Sequence, residues 1–366
     1  MADDSGGRDP VSWRVRRWAA PVALAAAVAG SVGAANLLAD ELPAASGAPA
    51  ARPRFILTVG QSGSRSSGPE PWFEVRSIPG PDGRAGLVDS VARPSPSAGA
   101  AAEILAGPGD TFVVVSTRDE PCESVLYRFR LTGDGRVKGV RPVNGGGTPA
   151  RAAGPALSPD GDRIAFATAP CADAERPSAA LTVLDLRSGH RRTWSTPGAA
   201  VLGDIAWADD GRTLGYAVSD VPPTASPEFE SGVGRIGRDV ANTTVYALDT
   251  RAKGADLRAG RVLFRQPDGP GVVTAAVMDQ DGRTGYGVMK EPGRTIMFGF
   301  AEGKPMRVTH TTETKAGSVD FVALSTVGDR PRYACVGGID AFGRVVDGDL
   351  VAANGGARQC GSAFAH

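Results

Sequence analysis

"ALSPDGDRIAFAT", Ala156 to Thr168, sets four turn residues between two strand-like runs. Ser158, Pro159, Asp160 and Gly161 fit a type I turn, in which proline fixes φ at the second position and glycine ends the turn. After the turn, Ile164 and Phe166 alternate with Ala165 and Ala167. A period of two puts the large pair on one face and the small pair on the other, which suits a strand packed on both sides. The stretch is either a lone hairpin or one copy of a repeat, and the rest of the chain decides between them.

The layout recurs. "IAWADDGRTLGYAVS" runs from Ile205 to Ser219, and "AAVMDQDGRTGYGVMK" from Ala275 to Lys290. "EILAGPGDTFVVVST", Glu103 to Thr117, keeps the glycine and the strand but lacks the Asp before the glycine. "VALSTVGDRPRYACVGG", Val322 to Gly338, is a weaker copy with Pro331 at its strand start. The turn glycines Gly109, Gly161, Gly211, Gly282 and Gly328 lie 52, 50, 71 and 46 residues apart. Each of the first four copies is followed by two further strand-like runs, for example "VLYRFRL" and "VKGVRPV" after the first. Four short strands per period of about 45 to 50 residues is the signature of a β-propeller blade. The 71-residue interval is then one blade plus an insertion. Between Arg54 and Val91, "RFILTV", "WFEVRSI" and "GLVDSV" add three more strands. The expectation is an all-β, six-bladed β-propeller whose terminal strands share the closing blade, with seven blades as the alternative. In this reading Asp160, Gly161, Asp210, Gly211, Asp281 and Gly282 are structural turn residues.

"LSPDGDRIAF", "WADDGRTLGY" and "MDQDGRTGYG" resemble the repeats of the periplasmic Tol-system (TolB-type) propeller and related WD40-like propeller repeats. The Gly-His and Trp-Asp pairs of true WD repeats are absent, so that family's hydrogen-bond network is not carried over. The whole layout is similar to membrane-anchored actinobacterial propeller proteins. That resemblance implies a fold and a location, not a reaction. Composition points the same way. Glycine is 49 of 366 residues, and lysine occurs only at positions 138, 253, 290, 304 and 315, the other basic residues being arginine.

The N-terminal region carries the location signal. Residues 1–18 are polar, with Arg14, Arg16 and Arg17 just before Trp18. Residues 19–39, "AAPVALAAAVAGSVGAANLLA", are 21 residues without a charge, long enough to span a bilayer as a helix. Arginines precede this run and Asp40 and Glu41 follow it, so the positive-inside rule keeps residues 1–18 in the cytoplasm and exports the rest. The alternative is a cleaved signal peptide, since Val32-Gly33-Ala34 is an acceptable cleavage pattern and would leave a secreted domain. Residues 40–53 are an Ala/Pro-rich linker, and 54–366 are the extracytoplasmic propeller.

Exported domains sit where disulfides persist. Cys122 and Cys171 fall in equivalent loops of adjacent blades, which places them side by side; Cys335 and Cys360 remain as the other pair. Four cysteines allow three connectivities, and Cys335, within a strand, also suits a buried thiol. No two cysteines have zinc-ligand spacing, and the histidines are only His190, His310 and His366. "DQDG" lacks the further oxygen ligands of a calcium loop. No G-x-S-x-G elbow occurs. No cofactor or metal is expected, and the net charge of zero gives no field favouring nucleic acid.

The most individual feature is the insertion from Ser219 to Thr244, with Arg235, Arg238 and Asp239 as binding-loop candidates. Long loops on a rigid scaffold commonly carry function. The leading expectation is a non-enzymatic, membrane-tethered propeller that binds a protein or envelope component. The alternatives are a propeller enzyme (lyase, hydrolase or dehydrogenase) with a dispersed channel-mouth site, and an envelope sensor acting through a cytoplasmic partner.

Overall fold

The turn chemistry builds one hairpin, and the hairpin is repeated. A computed structural model describes residues 54–59, 71–77, 86–169, 179–222, 240–313, 321–325, 333–337, 342–346, 349–352 and 363–365. The strands fall into six antiparallel sheets of four. The first contains β1 (Phe55–Val59), β2 (Phe73–Ser77) and β3 (Leu87–Val91). The second is β4 (Ala100–Ala106), β5 (Thr111–Arg118), β6 (Glu123–Leu131) and β7 (Val137–Thr148). The third is β8 (Arg151–Leu157), β9 (Arg163–Ala169), β10 (Ala180–Asp185) and β11 (Arg191–Ser195). The fourth is β12 (Ala200–Trp207), β13 (Thr213–Asp220), β14 (Ala241–Asp249) and β15 (Arg261–Arg265). The fifth is β16 (Val272–Met278), β17 (Thr284–Glu291), β18 (Arg294–Ala301) and β19 (Arg307–Glu313). The sixth is β20 (Phe321–Ser325), β21 (Tyr333–Gly337), β22 (Phe342–Val346) and β23 (Asp349–Ala352). The last strand, β24 (Ala363–Ala365), pairs with β1 and completes the first sheet in the order β24-β1-β2-β3. All six lie in one unit, Ala50–His366. Among the described residues no helix is long and apolar enough to cross a membrane. Residues 19–39 lie outside them.

In the third, fourth and fifth sheets the turns between first and second strands share one hydrogen-bond pattern. The amides of Gly161, Gly211 and Gly282 donate to the carbonyls of Ser158, Ala208 and Asp279 at 2.8, 2.9 and 3.0 Å. Gly161 has φ +70°, a left-handed conformation that glycine adopts without penalty. A Cβ there would also lie 2.9 Å from Pro108 of the preceding turn. Successive turns are thus stacked. The amide of Asp209 donates to the carbonyl of Gln280 at 2.9 Å, and Arg163 donates to the carbonyl of Gly211.

Sheets stack face to face, and a buried apolar cluster fills each described interface. Phe73 and Phe129 stack at 4.9 Å between the first and second sheets. Ile164 and Phe166 join Val113, Val115 and Leu126 between the second and third. Ala165 and Ala167 lie on the other face of the same strand, against Trp207, Leu214 and Tyr216 of the fourth. Phe264 and Phe298 stack at 4.9 Å between the fourth and fifth. Large and small residues alternate on β9 because the large ones fill one interface and the small ones make room for aromatic rings in the other.

Arginines tie the outer edges. Arg192 lies 4.5 Å over the Trp194 ring and donates to the carbonyls of Thr250, Ala252 and Gly254 in the connection between β14 and β15 of the fourth sheet. Its neighbour Arg191 reaches the other way, to Thr148 Oγ1 at 3.1 Å and to the carbonyls of Gly145 and Gly147 in the second sheet.

The closeness of the sheets makes a testable demand. At Gly215 on β13 an added Cβ would lie 2.3 Å from Met278 Cβ of the fifth sheet. Gly215→Ala is expected to destabilise the fold by about 1–3 kcal/mol in chemical denaturation, as overpacking does. Gly133→Ala, where a Cβ meets nothing within 4 Å, is expected to stay within about 0.5 kcal/mol. Equal effects at the two sites would mean that the fourth and fifth sheets are not this closely nested.

Candidate functional site

In each antiparallel sheet the loop between second and third strands leaves from the end opposite the turn between first and second. One such loop, Asp119 to Cys122, joins β5 to β6. Cys122 in it is disulfide-bonded. Arg118 and Glu123 close its base in an ion pair at 2.5 Å. Arg151 of β8 reaches Asp119 at 2.9 Å, which draws this loop against the third sheet. Cys171 belongs to the matching β9–β10 loop and lies outside the described residues, as does Cys360. Cys335 is on β21. The insertion joins β13 to β14 on the same side, and its Arg235, Arg238 and Asp239 lie outside the described residues.

The aspartates of the turns sit at the opposite end. Asp210 accepts from the amides of Arg212 and Thr213 at 2.8 and 2.7 Å and from the Thr213 hydroxyl at 2.7 Å. Asp281 repeats this with Arg283, Thr284 and the Thr284 hydroxyl, at 2.8, 2.8 and 2.7 Å. Asp160 accepts from the Asp162 amide at 3.0 Å and from Ser158. Burial alone would raise the Asp160 and Asp210 pKa values, but these bonds outweigh it and hold both carboxyls below the usual range. Among the described residues no group of three or more His, Cys, Asp or Glu could hold a metal ion.

The first strands of the sheets, β4, β8, β12 and β16, run side by side, and two of them, β4 and β12, carry an acidic residue. Each is broken by a register shift near its middle, at Ala101/Glu103, Ala153/Ala156, Gly203/Ala206 and Val273/Ala275. A first strand is an edge strand, so some of its N–H groups have no partner within the sheet. In two cases a carboxylate of the preceding sheet supplies one. Glu103 on β4 accepts from the Gly154 amide of β8 at 2.9 Å. Asp204 on β12 accepts from the Ala276 amide of β16 at 2.6 Å. Glu103 and Asp204 hold the same place, four residues before the residue that opens the turn. Asp204 also has φ +52°, a conformation that Asp and Asn tolerate better than other side chains.

Asp204 keeps some accessible surface, but its carboxylate lies deep among protein atoms. Burial pushes its pKa up to about 6, and the Ala276 amide, which favours the ionised form, offsets this only in part. Neither Glu103 nor Asp204 stands out in a reading of the sequence by motif. The available signal was an acidic residue inside an apolar strand at one register of two repeats, "AEIL" and "GDIA".

No family model matches the chain, and no curated protein matches it. Solved structures do. The chain is similar to the nidogen/laminin complex structure at 12% identity and a TM-score of 0.50, over 83% of this chain and 95% of that one. The structure of the Dos1 propeller aligns over 77% of this chain and 65% of that one, at 10% identity and a TM-score of 0.41. A prolyl endopeptidase aligns over 69% of this chain at 16% identity and a TM-score of 0.41. The chain spans only 35% of that enzyme's length. The likeness is one of fold, with β-propellers among the neighbours, and no activity follows from it.

The raised Asp204 pKa has a defined consequence for stability. The folded state retains a proton on Asp204 up to about pH 6, whereas the unfolded chain releases it near 3.8. Stability is therefore lost as pH rises from about 4 to 6, on the order of 1–3 kcal/mol. Asp204→Asn keeps an oxygen acceptor for Ala276 without a charge. It is expected to raise the melting temperature at pH 7 and to flatten the profile between pH 4 and 6. A lower melting temperature than wild type at pH 7 would mean that the carboxylate charge itself holds the bulge.

Proposed function

We propose that the chain is a six-bladed β-propeller, displayed outside the cytoplasm by its N-terminal segment. In this reading it binds a protein or cell-envelope component without catalysing a reaction. Binding is through the face that carries the loops between second and third strands. The observation that carries the reading is the disulfide-bonded Cys122 in one of those loops, on the side from which the insertion also leaves. Disulfides persist in oxidising compartments, and a cross-linked loop loses less entropy on binding a partner. The Arg151–Asp119 ion pair supports Cys171 as the partner of Cys122, because it brings the β5–β6 loop to the third sheet. The pairing of β24 with β1 supports six blades, since it gives the first sheet its fourth strand.

Asp204 favours a second reading, an enzyme with its site along the inner strands. A carboxyl with a pKa near 6 can exchange a proton close to neutral pH. Its engagement with Ala276 weighs against this role.

Two measurements test the binding reading. Peptide mapping of the non-reduced full chain is expected to yield a linked Cys122–Cys171 peptide; a free Cys122 thiol would remove its main support. In-cell cross-linking is expected to capture one reproducible envelope partner, lost when residues 223–239 are replaced by a short Gly/Ser linker and retained in Asp204→Asn. Loss in Asp204→Asn alone would favour the inner-strand site instead.

A further inference from the structure

The face of the second sheet turned toward the third changes character along its length. Its deeper part is apolar, with Val113, Val115 and Leu126. Toward the turn end the same face of β6 carries Arg128 and Arg130. Directly across on β7 stand two more cations: Arg141 pairs in register with Arg128, and Lys138 with Arg130. Directly opposed residues share one face of a sheet, with Cβ atoms about 5 Å apart. Like charges in that position repel and cost stability.

No carboxylate pairs with them directly. Among the described residues none of the four side chains has a hydrogen bond or an ion pair. Arg128 and Arg130 line one wall of a groove of about 270 Å³, with Leu157, Asp160 and Asp162 on the other. Those aspartates are already engaged. Asp162 is paired with Arg187 at 2.7 Å, and Asp160 with its own turn and with Arg163 at 3.5 Å. In a chain whose net charge is zero, four clustered cations whose facing carboxylates, Asp160 and Asp162, are paired with other arginines are a local excess without a structural use.

We propose that this groove binds a linear phosphate-bearing polyanion, with one anionic group bridging each cross-strand pair. Arginine suits phosphate because its planar fork donates two hydrogen bonds at once. The two cation pairs follow each other along the strands by about 7 Å, which suits repeated anions on one chain. Arg128 is half-buried in the groove wall, so a narrow chain reaches it more readily than a flat bilayer does. The site is on the turn side of the sheets, opposite the loop face, and stands or falls separately from the function proposed above.

Inorganic polyphosphate is a suitable probe, titrated into the full-length chain at several salt concentrations. Four phosphate contacts predict a log–log salt slope of about −3. Arg128→Gln/Arg130→Gln is expected to weaken binding at least tenfold and to halve the slope, whereas Arg212→Gln, which breaks the pair with Asp249, leaves both unchanged. Polyphosphate is expected to raise the melting temperature of the wild type and not of the double variant. The free double variant should melt no lower than wild type, since a repulsion is removed. Equal affinity of the double variant and the wild type, or a salt-independent signal, would overturn the proposal. So would phosphatidylglycerol vesicles binding as tightly as polyphosphate, which would assign the patch to a lipid surface.

Discussion

Face-to-face burial between consecutive sheets is the constraint on which the rest of the structure depends. A four-stranded sheet of this size cannot cover both of its own faces, and each one borrows its cover from the next. β9 shows the consequence within one strand: Ile164 and Phe166 are buried toward the second sheet, Ala165 and Ala167 toward the fourth. The close spacing requires glycine where a neighbour's side chain enters, as Met278 does at Gly215. It also leaves the backbone ends of each sheet next to those of its neighbours, and arginines such as Arg163, Arg191 and Arg192 use the carbonyls exposed there.

The same stacking sorts the chain's polar chemistry into three places. One end of the sheets carries the aspartate-capped turns, which are occupied with their own backbone. The other end carries the loops, including the one that contains the disulfide-bonded Cys122. Between them run the first strands, whose bulges draw carboxylates inward; that is how Asp204 comes to be an acid held deep in the protein. A binding role at the loop end and a structural role for Asp204 fit together. The bulge needs an acceptor for the Ala276 amide, and burial makes an ionised one costly.

The turns were legible in the sequence because their chemistry is local. Pro159, Asp160 and Gly161 fold on one another within four residues, and the repeat of that signal marks out the sheets. The pairing of large and small residues on β9 was legible for the same reason. Asp204 and Glu103 were not, because what defines them is an amide on another sheet, more than 50 residues away in each case. The cationic groove was half legible. Arg128 and Arg130 alternate visibly in "YRFR", but their lack of partners depends on Arg163 and Arg187 having taken Asp160 and Asp162. The insertion announced itself through the 71-residue interval, which is a matter of counting rather than contact.

Interdependence of the sheets is the claim that carries everything else, and β24 is the place to test it. It is three residues long, yet it occupies the first position of the first sheet and lies beside β4 of the second. Hydrogen exchange on a chain ending at Ser362, compared with the full chain, measures this directly. The account predicts that amides of the first sheet and of the second through fifth sheets lose protection together, in one cooperative step. Loss confined to β1–β3, with β8 to β19 as protected as before, would contradict it.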